Sequence, residues 1–453
     1  MKTGCQTIVT PLHFAMLFLL AAAIVLSPLQ AAGSRLDMDV QPDNSTLLYR
    51  SDGTSTIQIR VVAPDDFILP DRPPLNLALV LDKSGSMADE GKMEYVRQAA
   101  HMLVNRMGPE DRLTIVTYNH GVQVPIATRR VKDRQYFHRI IDGLYPGGRT
   151  YLSGGLEEGF RQARKYRKKG YVSRVILFSD GLANIGVTDF RQLSQRASAM
   201  YESGVAVSTF GMGYDFDENL LASMATGGGG SYYYISRPGD ILAALKKEFN
   251  MAASTVASGV EIIIRPMEGC RFESAPGHGW KREGSSAVIG LGDLSAGESR
   301  TLMAQMHVPT GEMGDQGVAE VALRYRDPVT GKTSSTGKTP VVLAVVDDPS
   351  LHREKIDIKV EEKKAVIESN IMLNEAARKV DEGDRDGARS IIRKVMGALK
   401  ASPAASAPAV QEEMERAQEY SGRIDVMDDL APDEVKEMQK DQKYRSYQEL
   451  NQN

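Results

Sequence analysis

Five oxygen-bearing side chains, spread over about a hundred positions, form the most distinctive pattern in this chain. They are Asp82, Ser84, Ser86, Thr150 and Asp180. The first three directly follow the apolar run 77–81, Thr150 lies in a glycine-rich loop, and Asp180 comes just after the apolar run 175–178. Hard cations prefer oxygen ligands, and sites in open parallel sheets form at the carboxyl ends of strands. The pattern therefore predicts a divalent-metal site with two carboxylates and three hydroxyls.

This pattern resembles the metal-ion-dependent adhesion site of von Willebrand factor type A domains, in which Asp-x-Ser-x-Ser is followed by a distant Thr and a distant Asp. All five positions match, and the resemblance covers residues 75–250. The chain is similar to exported bacterial proteins of this family, which resemble calcium-activated-channel-like proteins and inter-alpha-trypsin inhibitor heavy chains. A lone Asp-x-Ser-x-Ser is more often a turn or a helix cap, but here the order and the strand context favour the metal site.

The resemblance implies a role for each side chain. Ser84 and Ser86 bind the metal directly, Thr150 does so when the site is engaged, and Asp82 and Asp180 act directly or through water. The implied ion is Mg²⁺, with Ca²⁺ or Mn²⁺ as alternatives. An Asp or Glu of a protein partner completes the coordination shell. A type A fold whose metal site is not used is the alternative that the sequence leaves open.

The segments around these residues predict the fold that positions them. Over residues 75–255, apolar runs of strand length alternate with helical periodicity. That alternation predicts a doubly wound, mostly parallel α/β domain of the Rossmann-like kind. Residues 34–74 and 256–347 read as strands, so we expect a β-sandwich-like domain into which the α/β domain is inserted.

The C-terminal part of the chain is predicted to be helical. Residues 348–400 read as a helical hairpin that resembles a single tetratricopeptide-like unit, although one copy is weak support for that family. Residues 401–453 read as a linker followed by a polar, helix-prone and mobile tail.

The N-terminal residues have the layout of a secretory signal peptide, predicted for residues 1–33. Lys2 precedes a long uncharged stretch with an apolar centre, followed by small residues. An uncleaved anchor is the alternative, and the mature chain is expected to have no membrane span. Removal of the signal would leave Cys270 as the one thiol, so an exported protein would lack an intrachain disulfide. We therefore expect a bacterial periplasmic or cell-surface protein.

Two further segments carry side chains that could act at a site. The segment 211–217 follows a predicted strand and has two carboxylates, so it could line the metal face or bind a second cation, although a solvated loop is favoured. The three tyrosines at 232–234 could form a binding strip, although an edge strand packed on helices is favoured.

The sequence favours a binding protein over an enzyme. The formal net charge of −4 argues against a nucleic-acid partner, and no zinc motif or general base accompanies the predicted metal site. The leading expectation is an exported, adhesion-type protein that binds an acidic residue of a partner through its metal. The alternative is an assembly or regulatory factor of an envelope complex, such as a channel-like one, that is not itself a channel.

Overall fold

A computed structural model describes residues 36–65, 72–167 and 170–451. The predicted signal peptide at 1–33 lies outside the described residues. Among the described residues, none of the helices combines the length and the apolar character that a membrane span requires.

The N-terminal strands belong to a β-sandwich that is completed by strands far along the chain. They are β1 (Asp37–Pro42), β2 (Thr46–Leu48) and β3 (Thr54–Val62). In β3, Ile57, Ile59 and Val61 are fully buried, so every second side chain enters the core, as strand geometry requires.

An α/β domain follows β3 in sequence and precedes the rest of the sandwich. Its strands are β4 (Leu75–Asp82), β5 (Arg112–Tyr118), β6 (Val122–Arg130), β7 (Val172–Ser179), β8 (Ala206–Met212) and β9 (Gly229–Ile235). Its helices are α1 (Lys92–Arg106), α2 (Arg134–Asp142), α3 (Leu152–Lys165), α4 (Phe190–Glu202), α5 (Glu218–Gly227) and α6 (Ile241–Ala253).

The sheet of this domain runs in the order β6-β5-β4-β7-β8-β9. Every neighbouring pair is parallel except β5 and β6, which are antiparallel. All residues of β4 and β7 are buried, as expected for central strands with helices on both faces. The structure confirms the doubly wound, mostly parallel α/β fold that the sequence predicts.

The chain then returns to the sandwich. The added strands are β10 (Thr255–Pro266), β11 (Arg271–Ser274), β12 (Trp280–Glu283), β13 (Ser286–Ser295), β14 (Ser299–His307), β15 (Gly314–Arg326), β16 (Thr333–Ser335) and β17 (Thr339–Val346). One sheet has the order β1-β3-β14-β11, and the other has β12-β13-β10-β15-β17-β2, with β16 paired to β15. The α/β domain is therefore inserted between β3 and β10.

The C-terminal part of the chain is helical. Its helices are α7 (Pro349–Glu354), α8 (Ile358–Asp381), α9 (Arg385–Ala401), α10 (Pro408–Asp425) and α11 (Pro432–Asn451). The sequence predicts a mobile tail at 401–453, but the structure shows α10 and α11 packed. The reason is visible in α11, where the Tyr447 hydroxyl accepts a hydrogen bond from the backbone N–H of Tyr232 at 2.9 Å. Lys440 is also buried, and its Nζ is 2.6 Å from the carboxylate of Glu218.

Candidate metal site

The ends of β4 and β7 bring the two predicted carboxylates together. These strands are parallel neighbours, with Val80 opposite Leu177. Asp82 is the last residue of β4, and Asp180 follows the last residue of β7. Both side chains are almost fully buried, at 0% and 1% exposure. Two carboxylates therefore share one buried place at the carboxyl edge of the sheet.

The serine hydroxyls lie between these carboxylates. Ser86 Oγ donates to Asp180 Oδ1 at 2.8 Å, and Ser84 Oγ is 3.1 Å from Ser86 Oγ and 3.4 Å from Asp180 Oδ1. The backbone N–H of Ser84 donates to Asp82 Oδ1 at 2.8 Å. The chain turns sharply just after a buried strand, so alternate residues 82, 84 and 86 face one point.

Thr150 reaches the same point from another loop. Its N–H donates to Asn184 Oδ1 at 3.1 Å, which ties this loop to the one that follows Asp180. A Cβ built on Gly181 would lie 3.8 Å from Thr150 Oγ1 and 4.0 Å from Ser86 Oγ. The structure therefore places all five predicted side chains together.

The loop that carries Thr150 depends on a glycine. Gly148 has a φ of +98°, a backbone conformation that residues with a Cβ rarely adopt. A Cβ there would lie 2.8 Å from His120 Nδ1. Its carbonyl accepts a hydrogen bond from the N–H of Gly85 at 3.0 Å, which joins this loop to the serine-bearing segment.

The electrostatics of the site favour a cation. Burial raises the pKa of Asp82 to about 7, against the hydrogen bond from the Ser84 N–H, and the charge of Asp180 raises it further. Two buried carboxylates thus lie close together with hydroxyl neighbours that carry no charge. A divalent cation would stabilise the ionised form of Asp82 by opposing both effects.

A lysine that the sequence analysis missed also faces the site. Lys92 is the first residue of α1, and its Nζ lies 3.2 Å from Asp180 Oδ2. Its side chain is 11% exposed. The two oxygens of Asp180 therefore have different partners, hydroxyls on Oδ1 and an ammonium on Oδ2.

The donor set fits a hard divalent cation. Two carboxylates and three hydroxyls converge, all of them oxygen donors, which Mg²⁺ and Ca²⁺ prefer. No group of three or more His, Cys, Asp or Glu side chains that could hold a metal occurs in the described part of the chain. Any metal here would therefore rely on the hydroxyls of Ser84, Ser86 and Thr150 beside Asp82 and Asp180.

The loops that carry the predicted site residues also carry exposed side chains, which we call the rim of the site. Tyr145 is 70% exposed and Leu182 is 59% exposed, and they lie on the loops that carry Thr150 and Asp180. His120 is also exposed and lies beside Gly148 in the loop that carries Thr150. No general base was predicted beside the metal site, and this imidazole is a candidate that the fold brings next to the Thr150 loop.

The segment 211–217 has its carboxylates engaged elsewhere. Asp217 caps α5 by accepting a hydrogen bond from the N–H of Leu220 at 3.0 Å. Asp215 is 2.8 Å from Lys436 Nζ in α11. These contacts favour the solvated-loop interpretation over a second cation site.

The fold and the site define a known class of domain. Residues 76–247 match the model of the von Willebrand factor type A domain. These residues therefore form a von Willebrand factor type A domain, and this class of domain indicates a role in protein interaction.

Two relatives illustrate how far the similarity extends. An uncharacterised protein of Synechocystis sp. is 26% identical over 334 residues, which are 71% of this chain and 78% of that protein. Human inter-alpha-trypsin inhibitor heavy chain H2 is 23% identical over 214 residues, which are 45% of this chain and 22% of that protein. The second similarity thus covers only a small part of a longer protein.

A solved structure resembles nearly the whole described fold. The von Willebrand factor type A protein from Catenulispora acidiphila superposes with a TM-score of 0.71 at 14% sequence identity. The match covers 92% of this chain and 98% of that one. At such low identity the likeness concerns the fold, and it includes regions beyond the type A domain.

Proposed function

We propose that this chain is an exported, non-enzymatic binding protein whose type A domain holds Mg²⁺ and, through it, an acidic side chain of a protein partner. Ca²⁺ and Mn²⁺ are the alternative ions. When bound, the ion would supply an electrophilic coordination position that takes a carboxylate. The chain's own side chains would hold the ion and present that position to the partner.

The observation that carries the proposal is the mixed donor set. Asp82 and Asp180 supply charge that attracts the cation, while the hydroxyls of Ser84, Ser86 and Thr150 supply oxygen without adding negative charge. A site built only from carboxylates would repel an acidic partner. This site instead leaves the loaded centre receptive to one more anionic ligand.

The exposed rim supports a protein as the partner. A carboxylate alone gives little specificity, and a stable contact needs apolar surface around its polar centre. Tyr145 and Leu182 provide such surface on two of the loops around the centre. Tyrosine is also enriched among residues that dominate binding energy at interfaces.

The test is calorimetric titration of Mg²⁺ into the full chain, beside Asp82→Ala and Ser84→Ala/Ser86→Ala. We expect binding by the unmutated protein and loss of binding in both variants. Asp215→Ala is the matched control, because this carboxylate lies on a neighbouring loop and pairs with Lys436. Absence of Mg²⁺, Ca²⁺ and Mn²⁺ binding to the unmutated chain, or equal loss in the control, contradicts the proposal.

Partner binding is tested next. Crosslinking and recovery of envelope proteins with the chain as bait should depend on the metal, so that a chelator or Asp82→Ala abolishes it. Fractionation of the producing cell should find the chain in the periplasm or at the surface. Turnover of ester, phosphate or peptide substrates that disappears in both Asp82→Ala and His120→Ala would instead establish an enzyme.

A further inference from the structure

Beyond the site itself, and resting on the proposed function, we infer that Lys92 sets the charge balance of the metal centre. Its ammonium weakens the hold of the free protein on the cation and gives the loaded centre a net positive charge. That charge makes an anionic side chain of the partner part of the stable complex. Lys92 is thus a residue that determines specificity for acidic partners.

The geometry places this charge where it acts most strongly. Lys92 Nζ is 3.2 Å from Asp180 Oδ2, and Asp180 is fully buried. The other oxygen, Oδ1, faces the hydroxyls of Ser84 and Ser86. The ammonium can therefore stay on Oδ2 while Oδ1 faces the donors, and it withdraws negative charge from the side that a cation would use.

The position is an unfavourable one for a lysine on structural grounds alone. Lys92 is the first residue of α1, and a positive charge at the N-terminus of a helix opposes the helix dipole. The side chain is also only 11% exposed, so its charge is largely desolvated. The contact with Asp180 offsets both costs, and an uncharged side chain would avoid them.

The net charge of the centre explains why a partner carboxylate would be attracted. With both carboxylates ionised, as they would be around a bound cation, two carboxylates and one ammonium sum to a single negative charge. A divalent cation turns that into a single positive charge, which one partner carboxylate neutralises. Without the ammonium, the cation alone would neutralise the centre, and it would bind tightly with no remaining attraction for an anion.

The experiment measures Mg²⁺ affinity by calorimetry for the full chain, Lys92→Met and Lys92→Gln. We expect both variants to bind Mg²⁺ about tenfold more tightly or better, because a like charge near the cation is removed from a buried site. Lys92→Arg keeps the positive charge, so it should bind Mg²⁺ with the affinity of the unmutated chain. Lys83→Met is the matched control, since Lys83 lies in the same segment but donates to Gln123 at an exposed position.

A second measurement tests how strongly the Mg²⁺-loaded centre binds a carboxylate. With Mg²⁺ saturating, glutarate serves as the carboxylate probe, and both neutral Lys92 variants should bind it at least threefold more weakly than the unmutated chain. If unmutated and neutral variants bind Mg²⁺ equally, the inference is wrong while the proposed function stands. If none of them binds Mg²⁺, both are wrong. If only the neutral variants bind it, the natural chain has no loaded centre, and both the proposed function and the role of Lys92 in partner specificity are wrong.

Discussion

The two ends of the type A sheet both bury carboxylates, but they neutralise them differently. At the carboxyl edge, Asp82 and Asp180 have hydroxyl neighbours and one ammonium. At the opposite end, the guanidinium of Arg174 lies 2.7 Å from Glu248 Oε1 and 3.2 Å from Asp293 Oδ2. Each end thus has two carboxylates and one cationic side chain, but Arg174 contacts both carboxylates of its end, whereas Lys92 contacts Asp180 and leaves Asp82 without a cationic partner among the described residues.

The Arg174 end joins the two domains. Arg174 and Glu248 belong to the type A domain, and Asp293 lies in β13 of the sandwich. Tyr233 and Ser208 also donate to Glu248, at 2.9 and 2.6 Å. Burial alone would lower the pKa of Arg174, but the charges of Glu248 and Asp293 raise it above its ordinary value.

The partners of a buried charge within the chain separate a structural role from a functional one. At the interface, one guanidinium contacts both carboxylates, and Glu248 also accepts hydrogen bonds from Tyr233 and Ser208. At the metal edge, the raised pKa of Asp82 indicates that the ionised carboxylate is not fully stabilised by groups of the chain. Unneutralised buried charge of this kind marks candidate sites for a ligand.

The largest effect is expected at the Arg174 end. Arg174→Met would leave Glu248 and Asp293 buried without their cation, and the free energy of unfolding should fall by about 3–5 kcal/mol. Denaturant unfolding measures it. The control is Arg265→Met, which removes an exposed ion pair with Glu320 and should cost under about 1 kcal/mol. Equal losses in the two variants would contradict the comparison.

At the metal edge, removal of a charge is expected to raise the free energy of unfolding. The pKa of Asp82 is about 7 in the fold, against an ordinary 3.8, so its ionisation destabilises the folded state. The penalty starts as pH rises through 3.8 and is complete above 7. Asp82→Asn should therefore stabilise the protein in chelator at pH 8 by about 2–4 kcal/mol.

Thermal melts in chelator at pH 8 and at pH 4 measure that gain, which should nearly vanish at the lower pH. Asp215→Asn is the control. The hydrogen bond from Lys436 lowers the pKa of Asp215, so its ionised form is favoured and its removal should give no gain. A loss of stability in Asp82→Asn at pH 8 would show that this carboxylate is neutralised within the chain after all.

Metal affinity should depend on pH for the same reason. Below pH 7 the cation must displace a proton from Asp82, so Mg²⁺ affinity should fall by up to tenfold, or about 1.4 kcal/mol, per pH unit. Calorimetry at pH 8, 7 and 6 in buffers of different ionisation heat also counts the released proton. An affinity that is constant over this range would mean that Asp82 is already ionised in the free protein.

The smallest effect is expected on the rim. Tyr145→Ser and Leu182→Ser should each weaken metal-dependent partner binding by about 1 kcal/mol, because each removes apolar contact, while Mg²⁺ affinity stays the same. Val342→Ser is the control, since Val342 is similarly exposed at 52% but lies on the sandwich. A change in Mg²⁺ affinity would assign the rim residues to the site itself.

Much of the fold and the five site positions could be predicted from sequence because both depend on short-range patterns. Buried parallel strands appear as apolar runs, and their ends name the residues that meet at the sheet edge. Helix α5 was missed, because its residues 218–227 end at a glycine run that reads as a loop. Its Asp217 cap is a local signal that could have revealed it.

Residues that act across the fold could not be found in the same way. Nothing in the spacing of Lys92 and Asp180 shows that they touch, since the contact depends on how α1 leaves the 3₁₀ helix Gly85–Gly91. Glu248 carried a usable signal, because it is a charged residue on the buried stripe of α6. The packing of α11 was missed since its anchoring tyrosines are few and lie among polar residues.

The insertion of one domain within the other has a consequence for the order of folding. Strand β3 pairs with β14, and the whole type A domain lies between them in sequence. During synthesis the inserted domain can complete its own sheet while β3 has only β1 beside it. The sandwich closes late because its contacts are distant in the chain, and distant contacts form slowly. We therefore expect refolding in two phases, with the type A domain forming first and the sandwich second.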